Sequence, residues 1–157
     1  MHSEIVRHEE KLQFLFSQAR DMQDLDELDD EAKSGFVSYL CIRTFGYIEY
    51  GIKTILREHV RSNALDAPTF NYVNSQLRNL RLRRAQIIEL IGFFDQGWSE
   101  GLKRRITPDH GDSLKAIVVN RNEIAHGGDV DISLRDLERY FIHAREVVGY
   151  VFEVCSM

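Results

Sequence analysis

Apolar residues recur every three or four positions along most of the chain, the period of a helix that buries one side. The clearest run is the last. Leu134, Leu137, Tyr140, Phe141, Ala144, Val147, Val148, Val151, Phe152 and Cys155 keep that spacing, and Ser133 with Asp136 three residues on predicts a capping box at its start. Ser34 to about Ser62 reads as one long helix, with Val37, Leu40, Cys41, Phe45, Ile48, Ile52, Ile55 and Leu56 on a broad apolar face. A first helix opens at Ser3 and is lined by Ile5, Leu12, Leu15, Phe16 and Ala19. After a turn from Asn63 to Pro68, a third helix is expected from Thr69 to about Phe94, with Gly97 and Gly101 as breaks beyond it. A turn around Thr107-Pro108-Asp109 leads into another helix, capped by Asp112 or Ser113 and faced with Leu114, Ile117, Val118 and Ala125. No alternating pattern of useful length suggests a strand, and no internal repeat is present. The expectation is an all-α bundle of four to five helices, forming a single domain over residues 1–157.

At 157 residues the chain is long enough to bury most of its apolar surface without staples. Its formal charge of −5 argues against a protein that coats nucleic acid through bulk charge. The two cysteines, Cys41 and Cys155, each fall within an apolar pattern and read as buried free thiols of a reducing compartment. Neither has a second cysteine or a histidine at metal-ligand spacing, and His110, His126 and His143 lie at spacings that suggest no shared site. Neither a metal nor another cofactor is expected. The N-terminal Met-His-Ser-Glu is not an apolar signal region, and the most apolar stretch, Phe36 to Leu56, is interrupted by Arg43, Glu49 and Lys53. A cytoplasmic protein that does not engage a membrane is the expectation.

Charge is unevenly spread. Asp21, Asp24, Asp26, Glu27, Asp29, Asp30 and Glu31 form an acidic stretch with no basic residue among them. It is either a solvated loop or helix end, or a strip that mimics RNA or docks a basic partner. Arg78, Arg81, Arg83 and Arg84, followed by Lys103, Arg104 and Arg105, face only Glu89, Asp95 and Glu100 between Gln76 and Arg105. These seven cations are either solvated faces and partners of the acidic stretch or a track for a phosphate backbone. Phe93, Phe94 and Trp98 read as core or helix-end packing rather than as platforms for bases.

The stretch that reads as chemistry is Arg121-Asn122-Glu123-Ile124-Ala125-His126-Gly127-Gly128. It brings a permanently charged fork, an amide and an imidazole together where Gly-Gly should stop a helix. A second Arg and His five apart, Arg105 and His110, enclose a proline and lie in a turn. On an ideal helix Asn122 and His126 are neighbours, whereas Arg121 and His126 differ by about 140°. Glu49 falls in the row Phe45, Glu49, Ile52, Leu56, which places its carboxylate on the flank of a packed face. It either meets a cation from another helix, Arg121 or His126, or is an ordinary edge glutamate that reaches water.

Arg121 to Gly127 resembles the signature of the HEPN superfamily of nucleotide-binding α-bundles, an Arg, a polar residue, three more positions and a His, just before the last long helix. The resemblance is strongest from about Leu114 to Glu153 and architectural before that. It is closest to the small HEPN proteins of bacterial defence and toxin modules that carry Arg-Asn and Ala-His-Gly. It implies a metal-independent ribonuclease that pairs two motifs across a homodimer, with an antitoxin or regulatory protein as a possible partner. The nucleotidyltransferase-paired toxins carry a Tyr two positions after the His, where this chain has Gly128. Control by modification of that tyrosine is therefore not implied. The chemistry of the residues agrees: cleavage of RNA by its 2′-OH needs a base, an acid and a cation for the phosphorane, and one motif supplies a single histidine. In this reading His126 is the acid-base residue, Arg121 binds phosphate, and Asn122 orients His126 or the phosphate. The alternatives are a bundle that binds RNA or nucleotide without turnover, and a purely structural motif.

Overall fold

The computed structural model describes residues 1–63, 66–128 and 132–156. Seven α-helices account for most of them: α1 (Ser3–Gln23), α2 (Asp30–Asn63), α3 (Ala67–Gln76), α4 (Arg84–Gly92), α5 (Gln96–Arg105), α6 (Pro108–Ala125) and α7 (Leu134–Cys155). A 3₁₀ turn at Leu77–Asn79 follows α3, and no strand occurs among the described residues. The all-α expectation holds, with more helices than the four or five that the periodicity suggests.

The core is built on α1, α2 and α7, whose apolar stripes meet. Ile5, Leu12 and Phe16 of α1, Leu40, Ile48 and Ile52 of α2, and Phe141, Val148 and Val151 of α7 are all buried in one cluster. α1 runs antiparallel to the other two, as its polar contacts show. The hydroxyl of Tyr50 donates to Glu4, while Glu9 accepts from Tyr47 at 3.0 Å and from Arg145 at 2.7 Å. Further along, Arg20 pairs with Glu138 of α7. Glu9 thus ties three helices together at one level, with both carboxylate oxygens satisfied. α2 and α7 approach so closely at Gly51 that a Cβ there would lie 2.9 Å from Val148 Cγ1. A larger residue there would force the Val148 side chain, or the helices themselves, to shift.

Both cysteines are buried, as expected. Cys41 is 0 % exposed, and its thiol faces the carbonyl of Ile117 at 3.9 Å; Cys155 is 9 % exposed. Desolvation pushes the Cys41 thiol up to about 11 and the Cys155 thiol up to about 12. No helix among the described residues is long and apolar enough to cross a membrane.

Four boundaries differ from the sequence expectation, each for a local reason. α2 starts at Asp30, because Asp29 Oδ1 accepts the N–H of Ala32 at 2.7 Å and the acidic Asp30 and Glu31 favour a helix N-terminus. The end of the acidic stretch is therefore the opening of a helix. The helix expected from Thr69 to Phe94 is two helices. Leu77 and Leu82 are both buried, at 1 % and 3 % exposure, and five positions of straight helix would turn them about 140° apart. A 3₁₀ turn followed by extended backbone at Leu80 and Arg83 lets both face the core. Gly97 and Gly101 lie inside α5, which is capped by Asp95 through the N–H of Trp98 at 2.9 Å. α6 begins at Pro108, with Thr107 rather than Asp112 or Ser113 as its cap.

That cap is tied to the core by a histidine. The N–H of Thr107 donates to His110 Nδ1 at 3.2 Å, so Nδ1 is the acceptor and the ring proton sits on Nε2, which donates to Glu146 of α7 at 2.9 Å. At the start of α7, Ser133 Oγ accepts the N–H of Asp136 at 3.0 Å as expected of a cap. The carboxylate of Asp136 takes the Ser133 hydroxyl at 2.8 Å, a variation on the capping box. The turn expected from Asn63 to Pro68 includes residues 64 and 65, which lie outside the described set. The described part of it holds Asp66, whose side chain accepts the N–H of Thr69 at 2.7 Å and caps α3.

Candidate functional site

α6 stops where the glycines predict. Gly127 takes φ +77°, the left-handed region that glycine enters without a Cβ clash. Its N–H donates to the carbonyl of Ile124 at 3.1 Å, and that of Gly128 to the carbonyl of Glu123 at 2.9 Å. These two bonds form a Schellman cap and satisfy carbonyls that the helix end would otherwise leave open. His126 is the cap residue, with its own N–H bonded to Asn122 and Glu123 at 3.1 Å and its side chain exposed. The imidazole is thereby carried on a fixed backbone and presented to solvent.

Arg121 turns another way. Its guanidinium lies over the ring of Phe45 of α2, 4.9 Å from the centroid, and Nη1 donates to Asn122 Oδ1 at 3.2 Å. A ring face and an amide oxygen hold the fork without neutralising it, since neither carries a charge. Beside this pair opens a cavity of about 390 Å³. It is lined by Phe45 of α2, Val118 and Asn122 of α6, Gln86 of α4, and Leu80, Arg81, Leu82 and Arg83 of the segment that precedes α4. The extended backbone between the 3₁₀ turn and α4 explains why this segment contributes both leucine and arginine. Successive side chains alternate there, so Leu82 is buried while Arg81 and Arg83 are both exposed.

Of the sequence-predicted site residues, Asn122, Arg81 and Arg83 thus line one cavity, with Arg121 adjoining and His126 one helical turn beyond Asn122. Glu49 does not join them. It pairs with Lys53, four residues on in the same helix, at 2.7 Å, so the edge glutamate is what the structure contains and a contact with Arg121 or His126 is not. Three of the other cations have structural partners. Arg84 donates to the carbonyls of Ile106 and Lys103, the latter at 3.1 Å, and packs its stem over Gly111. Arg105 pairs with Glu153 and lies 4.3 Å over the ring of Tyr150. Lys103 pairs with Glu100 within α5. Arg78 and Arg104 are exposed.

Two further expectations are revised. His110 and His143, set apart by their spacing, come together with ring centroids 4.8 Å apart, His143 Nδ1 lying 2.7 Å from Ser113 Oγ. Both join α6 to α7, and this accounts for the second Arg-His pattern as structure. Phe94 and Trp98 pack against His59, but Phe93 is 78 % exposed rather than packed.

Phe45 and Gln86 are the residues of this region that sequence reasoning passes over. Phe45 sits in an ordinary apolar row, and Gln86 in the first turn of a helix whose start was not legible. Only the meeting of α2, α4 and α6 distinguishes them.

A family model described as RiboL-PSP-HEPN matches residues 3–156 of the chain. No curated protein and no solved structure matches it.

Proposed function

This chain belongs to the RiboL-PSP-HEPN family, and from that premise we propose that it is a metal-independent endoribonuclease acting as a homodimer in the cytoplasm. Family membership carries a ribonuclease-like or nucleotide-binding role in general. The observation that favours catalysis is the presentation of His126: an imidazole exposed on a capped helix end, on the same helix as an arginine that pairs with no carboxylate among the described residues.

The reaction follows from those groups. A base takes the proton of a ribose 2′-OH, O2′ attacks the adjacent phosphorus, and the negative charge of the phosphorane falls to Arg121. The bond from phosphorus to the 5′-oxygen then breaks, and that oxygen takes a proton from an acid. The products are a 2′,3′-cyclic phosphate and a 5′-OH. One histidine serves as base and a second as acid, which calls for two copies of His126 facing one phosphate across a two-fold axis. Asn122, held by Arg121, positions the phosphate.

The test is incubation of purified protein with end-labelled single-stranded RNA in excess EDTA. Cleavage that persists and leaves cyclic-phosphate ends is the expected result. Activity lost in chelator and restored by a divalent ion would overturn the mechanism, and binding without cleavage would leave a nucleotide-binding bundle.

RNA should approach past the exposed arginines beside the site. Replacing Arg81 and Arg83 together by Gln should weaken binding and reduce the slope of log K against log salt by up to about 1.4, since each phosphate contact on a single strand contributes about 0.7. Arg84→Gln is a separate case. Its contacts with Ile106 and Lys103 predict a loss of stability instead of a change in salt slope. A slope unaltered in the double variant would send the RNA along another face.

A further inference from the structure

We infer that the cavity between α2, α4 and α6 is a subsite for one unpaired nucleobase of the RNA, next to the phosphate held by Arg121, and that Gln86 reads the edge of that base. The inference rests on the ribonuclease reading for the identity of the ligand as RNA, and on the cavity itself for everything else.

Size is the first argument. Binding cavities run from about 300 to 1,000 Å³, and this one, at about 390 Å³, has room for a single nucleoside. Its walls are the second. Phe45, Val118 and Leu80, all half-buried in its lining, offer apolar surface for the face of a flat ring. Sequence-specific recognition of RNA works in this way, by taking an unstacked base between apolar or aromatic side chains and bonding its edges. The polar groups are the third. Gln86 and Asn122 each bring an amide, donor and acceptor together, which matches the paired donor and acceptor along the edge of a base. Arg81 and Arg83, exposed members of the same lining, serve the neighbouring phosphate or sugar.

Phe45 links the subsite to the reacting phosphate. One ring carries the guanidinium of Arg121 and also walls the cavity. A base inside therefore belongs to a nucleotide adjoining the scissile bond. The two amides then divide their work. Asn122 is engaged by Arg121 through Oδ1, whereas Gln86, contributed by α4, is left for the base. Gln86 is thus a specificity-determining residue and Phe45 a positioning residue for Arg121.

The experiment uses a set of short RNAs with one cleavable linkage, differing in the single base on either side of it, and a matched set made uncleavable by 2′-deoxy substitution at that linkage. Wild-type protein should prefer one base on one side, and Gln86→Leu should shrink that preference by about 5- to 150-fold, the worth of a bidentate edge contact. Phe45→Leu should lower cleavage of every RNA in the set through Arg121, leaving a smaller change in the ratio between bases. A Gln86→Leu protein with the wild-type thermal midpoint and undiminished base preference would overturn the subsite, as would a wild type that cleaves all the RNAs equally. If wild type cleaves none, the ribonuclease reading fails, and the uncleavable set still decides. Base-dependent binding lost in Gln86→Leu supports the subsite, and base-independent or absent binding removes it.

Discussion

Replacing His126 by alanine is expected to reduce RNA cleavage about 10²- to 10⁴-fold, the range for loss of a positioned proton donor or acceptor. The fold should not follow. The side chain is exposed, and the cap around it is made of backbone bonds from Gly127 and Gly128 that do not involve the imidazole. Substitutions of that kind change stability by no more than about 0.5 kcal/mol. A rate measured beside a thermal midpoint therefore separates chemistry from folding. Unimpaired cleavage in a folded His126→Ala protein would remove the proposed mechanism.

The second expected result concerns mixtures. If the active unit needs one His126 as base and its twin as acid, a dimer of one wild-type and one His126→Ala chain is inactive. Random pairing makes the fraction of fully wild-type dimers fall as the square of the wild-type fraction. With wild type at about a tenth of the subunits, activity should fall to about a hundredth of that of pure wild type, whereas self-sufficient sites would retain about a tenth. The measurement requires verified subunit exchange at constant total protein. A linear decline after such exchange, or an active species that sediments as a monomer, would exclude a shared site.

The sequence made the long elements readable where one face alone decides burial. α7 keeps a three-four apolar spacing along its whole length, and the core it enters is what that spacing predicts. Errors arose where a short-range signal opposed a long-range one. The acidic stretch could be read as loop or helix end, and the apolar pattern alone starts α2 at Ser34, whereas Asp30 and Glu31 are favourable at a helix start and carry it back to Asp30. The arginine-rich segment after Asn79 is helix-forming by propensity, but burial of both Leu77 and Leu82 outweighs propensity and interrupts it. The candidate site divides in the same way. Arg121, Asn122 and His126 are local in sequence, and their backbone is set by two glycines a few residues on. What Arg121 touches is not local. Phe45 lies on another helix in a row indistinguishable from core, and the more obvious neighbour in that row, Glu49, is taken by Lys53 within its own helix. Likewise, the basic residues could be counted from sequence but not sorted. Arg84 and Arg105 are engaged by carbonyls, a carboxylate and a ring, leaving Arg81 and Arg83 as the pair beside the motif.

The depth at which the two thiols lie makes this chain a ready host for site-directed spectroscopy. With Cys41 and Cys155 held near 11 and 12, almost no thiolate is present at neutral pH, and maleimide or methanethiosulfonate reagents should pass both by in the folded protein. A cysteine introduced at the exposed Lys115, on the helix that carries the motif, could then take a nitroxide label without removal of the native pair. Pulsed dipolar measurements between two such labels would give the distance from one copy of α6 to the other, and so the arrangement of protomers in solution, without a crystal.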